Sequence, residues 1–180
     1  MSHELIVGCM FSGKSTEIIR TINRLKMIDA KYLLIKPQVD TRYSTTMIHT
    51  HDNLQRKCIV RRNLIPLFEN QEYQQSEHII IEEAQFFSDL EPFVLKAVDE
   101  DKKKVVVIGL DGDSNRNNFG QIHKLLPLCD TIRKLKAFCS ECKDGTEAIF
   151  SKRLVNEGTQ TNIGSSDKYK AVCRECFLRE

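Results

Sequence analysis

The run Gly8-Cys9-Met10-Phe11-Ser12-Gly13-Lys14-Ser15 constrains this chain more than any other stretch. It fits the pattern G-x-x-x-x-G-K-[ST], and each fixed position has a physical job. The two glycines let the backbone curl so that successive N–H groups converge on a phosphate. Lys14 brings a full positive charge to the outer phosphates, and the Ser15 hydroxyl suits a bound Mg²⁺. The flanks agree. Residues 3–7 predict a short strand leading in, and from Thr16 on the positions Ile18, Ile19, Ile22, Leu25 and Ile28 recur at helical spacing. A helix beginning there directs its N-terminal dipole at the anion. A chance match in a glycine-containing turn is the rival reading, and strand before with helix after argues against it.

Further apolar runs fall at residues 32–36, 78–81 and 104–110, with weaker ones at 58–60 and 132–135. Helical patterns lie between them, around Pro66 over residues 64–68 and over 89–98. Continuous apolar strands separated by helices predict an α/β fold: a P-loop parallel sheet with helices on both faces. Residues 46–57, which include His49 and His51, are polar without a clean period and read as loop. After Cys139 the apolar runs shorten, and residues 158–167 are polar and rich in small residues, the profile of a mobile loop. The boundary is placed near residue 137. Residues 1–137 form the P-loop nucleotide-binding α/β domain and 138–180 a small zinc-binding one.

Composition narrows the function classes. At 180 residues and a net charge of +2, the balance of charge offers no argument for nucleic acid or an anionic membrane as partner. No apolar run approaches the length of a membrane span and no signal-peptide pattern opens the chain, so a cytoplasmic protein is expected. Seven cysteines do not pair off into a disulfide framework. Cys58 and Cys129 read as buried thiols.

Two more stretches carry chemistry. The strand at 78–81 runs into Glu82-Glu83. P-loop enzymes hold Mg²⁺ with an acid at the end of a neighbouring strand, and a kinase needs a base within reach of the acceptor hydroxyl. On an extended strand the two carboxylates alternate in direction, which lets one face the metal and the other the acceptor. Solvated glutamates at a strand end are the plainer alternative. The second stretch is the pairs Cys139-x-x-Cys142 and Cys173-x-x-Cys176, separated by 30 residues. Two such turns complete a closed tetrahedral Zn²⁺ site and tie off the loop between them. Redox chemistry is the rival, and neither pair has the βαβ surroundings of a thioredoxin-like motif.

Taken together, these motifs resemble the type II thymidine kinases, the zinc-containing cellular and large-virus family, over nearly the whole chain. The resemblance rests on the P-loop, Asp40-Thr41-Arg42-Tyr43-Ser44, Thr50-His51-Asp52, Glu82-Glu83-Ala84-Gln85-Phe86-Phe87 and Leu110-Asp111-Gly112. Phe119-Gly120, Ser151-Lys152-Arg153-Leu154, Asp167-Lys168-Tyr169 and both cysteine pairs follow in the family's order. It implies transfer of the γ-phosphoryl group of ATP to the 5′-hydroxyl of thymidine or deoxyuridine, in DNA precursor salvage. It also implies Glu83 as general base, Glu82 as the acid that helps hold Mg²⁺, and Asp40 and Arg42 beside the metal and phosphates, with Arg42 clamping developing charge. A surface Asx-type turn is the plainer reading of those last two. Phe119 and Tyr169 would sandwich the thymine ring, with Phe86 and Met10 nearby and Ser151 at its methyl side. Gln160, Thr161, Asn162, Ile163 and Gly164 align with a lasso loop whose backbone binds the base edge. By spacing alone, such aromatics are more often core. His49 and His51 receive no catalytic role.

The chain departs from the family at Glu82, normally Asp, at Ser114, normally aromatic, and at Asn117-Asn118, normally a basic residue and proline. The resemblance further implies a homotetramer or dimer and feedback inhibition by dTTP. Two rival functions make demands of their own on the sequence. A GTPase needs an Asn-Lys-x-Asp guanine signature, which does not occur. A zinc-ribbon nucleic-acid-binding P-loop ATPase predicts a basic stripe near the cysteines, and Lys134, Lys136, Lys143, Lys152 and Arg153 are interrupted by Glu141, Asp144, Glu147 and Glu157.

Overall fold

The computed structural model describes residues 1–39, 47–49, 55–154 and 168–179. In chain order the elements are β1 (Ser2–Gly8), α1 (Lys14–Lys26), β2 (Tyr32–Pro37), β3 (Met47–His49), β4 (Gln55–Lys57) and β5 (Ile59–Arg61). Then come α2 (Gln71–Gln75), β6 (His78–Ile81), α3 (Leu90–Leu95), β7 (Lys104–Gly109) and β8 (Thr131–Leu135). The C-terminal part adds β9 (Ala137–Phe138), β10 (Glu147–Ala148), β11 (Phe150–Arg153), β12 (Tyr169–Val172) and α4 (Arg174–Leu178).

Six strands form one sheet in the order β5-β2-β6-β7-β1-β8, with every pairing parallel. Period-2 alternation divides the strand residues between two cores. Leu5, Val7, Leu33, Ile35, Ile79, Ile81, Val105 and Val107 face one side, where Leu67, Tyr73, Phe87, Phe93 and Leu125 cover them. Ile6, Leu34, Ile80, Val106 and Ile108 face the other, beneath Ile18, Ile22 and Leu25 of α1. Isoleucine is a mediocre helix former, at a cost of roughly 0.5 kcal/mol per residue. Full burial of such a side chain contributes about 1.5–3 kcal/mol. Packing, not propensity, therefore sets α1.

Several expectations are corrected. Ile28 is not part of α1: the helix stops at Lys26, the chain turns through Asp29 at φ 51°, and Ile28 is 71% exposed. Residues 47–57, read as loop, contain the antiparallel pair β3–β4. Its strands have three residues each, too short for periodicity to register. Cys58 is buried as expected, whereas Cys129 is only half-buried. The short helix α2 went unseen although Asn70 announces it, its Oδ1 accepting from the N–H groups of Glu72 at 2.8 Å and Tyr73 at 3.3 Å.

Beyond the sheet, β9 pairs with β10 and β11 with β12, both antiparallel. Their core consists of Cys139, Ala148, Ala171, Val172, Cys173 and Cys176, joined by Cys9 and Phe11 from the P-loop. The phosphate-binding loop thus packs directly on the cysteine-bearing segment.

Candidate active site

The P-loop leaves β1 at Gly8 and enters α1 at Lys14. Its two glycines are needed for different reasons. A Cβ on Gly8 would stand 2.6 Å from the Leu135 carbonyl oxygen and 2.7 Å from Ser12 Oγ, so there is no room for one. Gly13 has open space around it but sits at φ 83°, in the left-handed region that favours glycine. Phe11 also takes a positive φ, 64°. Ser12 Oγ, buried, donates to the Cys9 carbonyl at 2.8 Å. The Lys14 ammonium donates to the carbonyls of Gly8 at 3.1 Å and Cys9 at 2.7 Å, so it lies along the loop. Cys9 Sγ donates to the Ala148 carbonyl at 3.5 Å, and burial pushes this thiol's pKa up against the pull of Lys14.

Across the sheet, β6 ends at Ile81, one residue before the acidic pair. The pair is therefore not an extended continuation of the strand with side chains alternating, as the sequence suggests. Glu82 is still tied to β2 through its N–H to the Ile35 carbonyl at 2.9 Å. Glu83 turns into the left-handed region at φ 48°, ψ 43° and starts a 3₁₀ turn over Ala84–Phe86. The kink separates the two carboxylates. Buried Glu82 accepts at Oε1 from Ser15 Oγ at 2.9 Å. Two neighbouring ligands of an octahedral Mg²⁺ at 2.1 Å stand about 3.0 Å apart. The Ser15 and Glu82 oxygens therefore have the spacing of a cation's adjacent ligands, and the extra methylene of Glu82 does not keep it from the P-loop. Half-buried Glu83 accepts at Oε2 from Gln85 Nε2 at 2.6 Å.

The residues expected around a base fall into three contacts. Phe86 and Phe119 meet edge to face with centroids 5.4 Å apart. The Met10 N–H donates to Ser151 Oγ at 2.9 Å, which joins the P-loop to β11. Buried Tyr169 on β12 pairs in register with Arg153, whose Nη2 donates to the Tyr169 hydroxyl at 3.0 Å. The pleat puts Ser151, Arg153, Tyr169 and Ala171 on one face of that hairpin. Asp40, Arg42, Gln160, Thr161, Asn162, Ile163 and Gly164 lie outside the described residues. Two polar residues in the site had no assigned role: Gln85, buried between Glu83 and the end of β7, and Arg153 on Tyr169. A buried polar residue beside an acidic pair is the signal that marks Gln85.

The four paired cysteines converge. Their sulfurs all lie within 4.8 Å of one another, with Cys142 at 3.8 Å from Cys173 and 3.4 Å from Cys176. A tetrahedral Zn²⁺ with 2.3 Å bonds needs sulfurs about 3.8 Å apart, so the cluster could hold the ion with shifts of up to about 1 Å. Turn backbone supports thiolate character at Cys139, while the neighbouring sulfurs push the Cys142 and Cys176 thiols up. The Cys173 N–H donates to Cys139 Sγ at 3.3 Å and the Cys176 N–H to Cys173 Sγ at 3.5 Å. Burial raises the Cys139 pKa, but N–H groups of Cys142, Cys173 and Glu141 outweigh it and bring it down to about 6. All seven cysteines are free thiols, which disfavours a disulfide reading of the pairs.

Comparison with known proteins places the chain in a family. The chain matches the family model described as thymidine kinase over residues 1–177. It is 41% identical to the cytosolic thymidine kinase of Gallus gallus over 178 residues, covering 98% of this chain and 77% of that one. A thymidine kinase of Oryza sativa is 39% identical, with 97% of this chain and 65% of the relative covered. That of Myxoma virus is also 39% identical, with 97% and 94% covered.

Proposed function

The chain belongs to the thymidine kinase family and has a thymidine kinase's function, that of a phosphotransferase, and on that premise we propose how its residues perform the reaction. The γ-phosphoryl group of ATP passes in line to the 5′-hydroxyl of thymidine or deoxyuridine. One observation carries the reading: the P-loop hydroxyl of Ser15 meets Glu82 while the backbone kink at the next residue aims Glu83 elsewhere.

In this reading the loop N–H groups and Lys14 cradle the phosphates, helped by the N-terminus of α1. Ser15 and Glu82 would hold Mg²⁺, which when bound would neutralise charge on the phosphate oxygens. Glu83 takes the proton from the 5′-hydroxyl as the oxygen attacks. Arg42 would clamp charge developing on the transferred group, and Asp40 would assist at the metal. Phe119 and Tyr169 hold the thymine between them, with Phe86, Met10 and Ser151 at the pocket wall. The lasso at residues 160–164 closes on the base edge and excludes water, which suppresses hydrolysis of ATP.

Zn²⁺ on Cys139, Cys142, Cys173 and Cys176 is structural: four thiolates leave no position for a water, so it has no part in phosphoryl transfer. The division into residues 1–137 and 138–180 is retained as a proposal, with Cys9 and Met10 as the bridge between the parts. Homotetramer or dimer assembly, dTTP feedback and a cytoplasmic location follow from the family reading. No helix among the described residues is long and apolar enough to cross a membrane, and the Gallus gallus relative is named as cytosolic. The nucleic-acid-binding reading is not favoured.

The test is Glu83→Gln, which keeps the shape and removes the proton acceptor. Turnover of thymidine with Mg-ATP should fall by about 10²–10⁴-fold, with nucleoside binding kept. Should Glu82→Gln abolish turnover while Glu83→Gln stays near wild type, the two acids have been given each other's roles.

A further inference from the structure

Gln85 sits at the crossing of three strained or crowded pieces of backbone. It is 3% exposed, two residues after Glu83 and inside the 3₁₀ turn that Glu83 starts. Its side-chain amide uses both ends. Nε2 donates to Glu83 Oε2 at 2.6 Å, and Oε1 accepts from the Leu110 N–H at 3.1 Å, just past the end of β7. That orientation is unique. A backbone N–H only donates, so it faces Oε1. A carboxylate only accepts, so it faces Nε2. A flipped amide would break both bonds at once.

The surroundings leave the amide nowhere else to go. A Cβ on Gly109 would stand 2.7 Å from Gln85 Oε1, and one on Gly120 would stand 2.1 Å from the Gln85 carbonyl oxygen. Gly109 closes β7 and Gly120 follows Phe119, so sheet and aromatic wall press on Gln85 from two sides. Glu83 needs such a brace. It leaves the sheet through a left-handed kink, a conformation that by itself leaves a long side chain free to sample several rotamers.

We infer that Gln85 is a positioning residue: it transmits the fixed end of β7 to the Glu83 carboxylate and holds that carboxylate in its working direction. The inference rests on Glu83 as the proton acceptor. Without the brace, Glu83 remains present but spends most of its time out of line with the acceptor oxygen. Misplacement of a reacting group by about 1 Å costs up to 10²-fold in rate. Binding of either substrate is a separate matter, because Gln85 reaches them through Glu83.

A double-mutant cycle separates this role from a purely structural one. Gln85→Leu should lower kcat by roughly 10–100-fold, with KM for ATP and thymidine within a few-fold of wild type. In the Glu83→Gln background the same change should lower the residual kcat by less than about two-fold, since there is no base left to position. Gln85→Glu is the second variant: it keeps shape and the Leu110 bond but sets a carboxylate against Glu83. It should melt below wild type and still lack kcat at temperatures well under its melt, where the protein is folded. Independent, multiplicative losses in the cycle would overturn the inference, as would a Gln85→Glu protein with wild-type kcat. If Gln85→Leu does not fold, the cycle is run with Gln85→Met, which also removes the amide without adding a charge, and read the same way. Full activity in Glu83→Gln alone would instead defeat the base assignment, a distinct result.

Discussion

Replacing Gly120 by alanine tests whether the contact between the aromatic wall and the acidic turn is a true packing constraint. Two costs add. Gly120 has φ 59°, where an L-residue loses about 1–2 kcal/mol. The new Cβ would also lie 2.1 Å from the Gln85 carbonyl oxygen, 2.8 Å from its carbon and 3.0 Å from its Cα, all backbone atoms with no rotamer to yield. Relief requires the backbone to shift by about 1 Å, and overpacking of this kind costs roughly 1–3 kcal/mol. The sum is about 2–5 kcal/mol, which for a chain of this size lowers Tm by on the order of 10 °C. Gly145→Ala is the control. Its φ is 91° but a Cβ there meets nothing within 4 Å, so only the backbone cost applies. Thermal melts of both variants, with kcat for thymidine, provide the measurement. The shift forced on Gln85 should also cut kcat of Gly120→Ala. Equal melts for the two variants, or undiminished kcat in a folded Gly120→Ala, would refute the argument.

Two other outcomes follow from the cysteine cluster and from β1. Cys173→Ser should lose metal, lower thermal stability and weaken thymidine binding together while leaving ATP binding much less affected, and elemental analysis of the wild type should give about one Zn²⁺ per chain. A fully active protein without metal would contradict it. His3 is buried, and burial lowers its pKa from 6.5 against the opposing pull of the Leu128 backbone carbonyl and the Asp130 carboxylate. The unfolded chain thus binds the proton more readily, so the stability that neutral His3 contributes is present above pH 6.5 and is lost as pH falls through the folded-state pKa. His3→Leu should therefore lose less Tm than wild type between neutral and mildly acidic pH, and parallel curves would show the histidine to be silent.

What the sequence determined by itself was local or was counted along the chain. The phosphate loop, the strand before it and the helix after it depend on residues a few positions apart, so spacing reveals them. The C-x-x-C turns announce their chemistry for the same reason. Short strands such as β3 and β4 escape because three residues do not establish a period. What joins the pieces depended on the strand order. Ser15 and Glu82 stand 67 positions apart, Gln85 and Leu110 stand 25 apart, and Cys9 and Ala148 stand 139 apart. No periodicity encodes those separations. The first two arise because a parallel sheet must bury both faces, which sends the chain over helical crossovers and brings distant strand ends together, and the third because the C-terminal antiparallel pairs pack on the P-loop. The direction of Glu83 belongs to the same class. Adjacent carboxylates suggested simple alternation, but β6 stops at Ile81 and the chain turns left-handed against Gly109 and Gly120, a conformation held by packing between segments that the order of residues does not display.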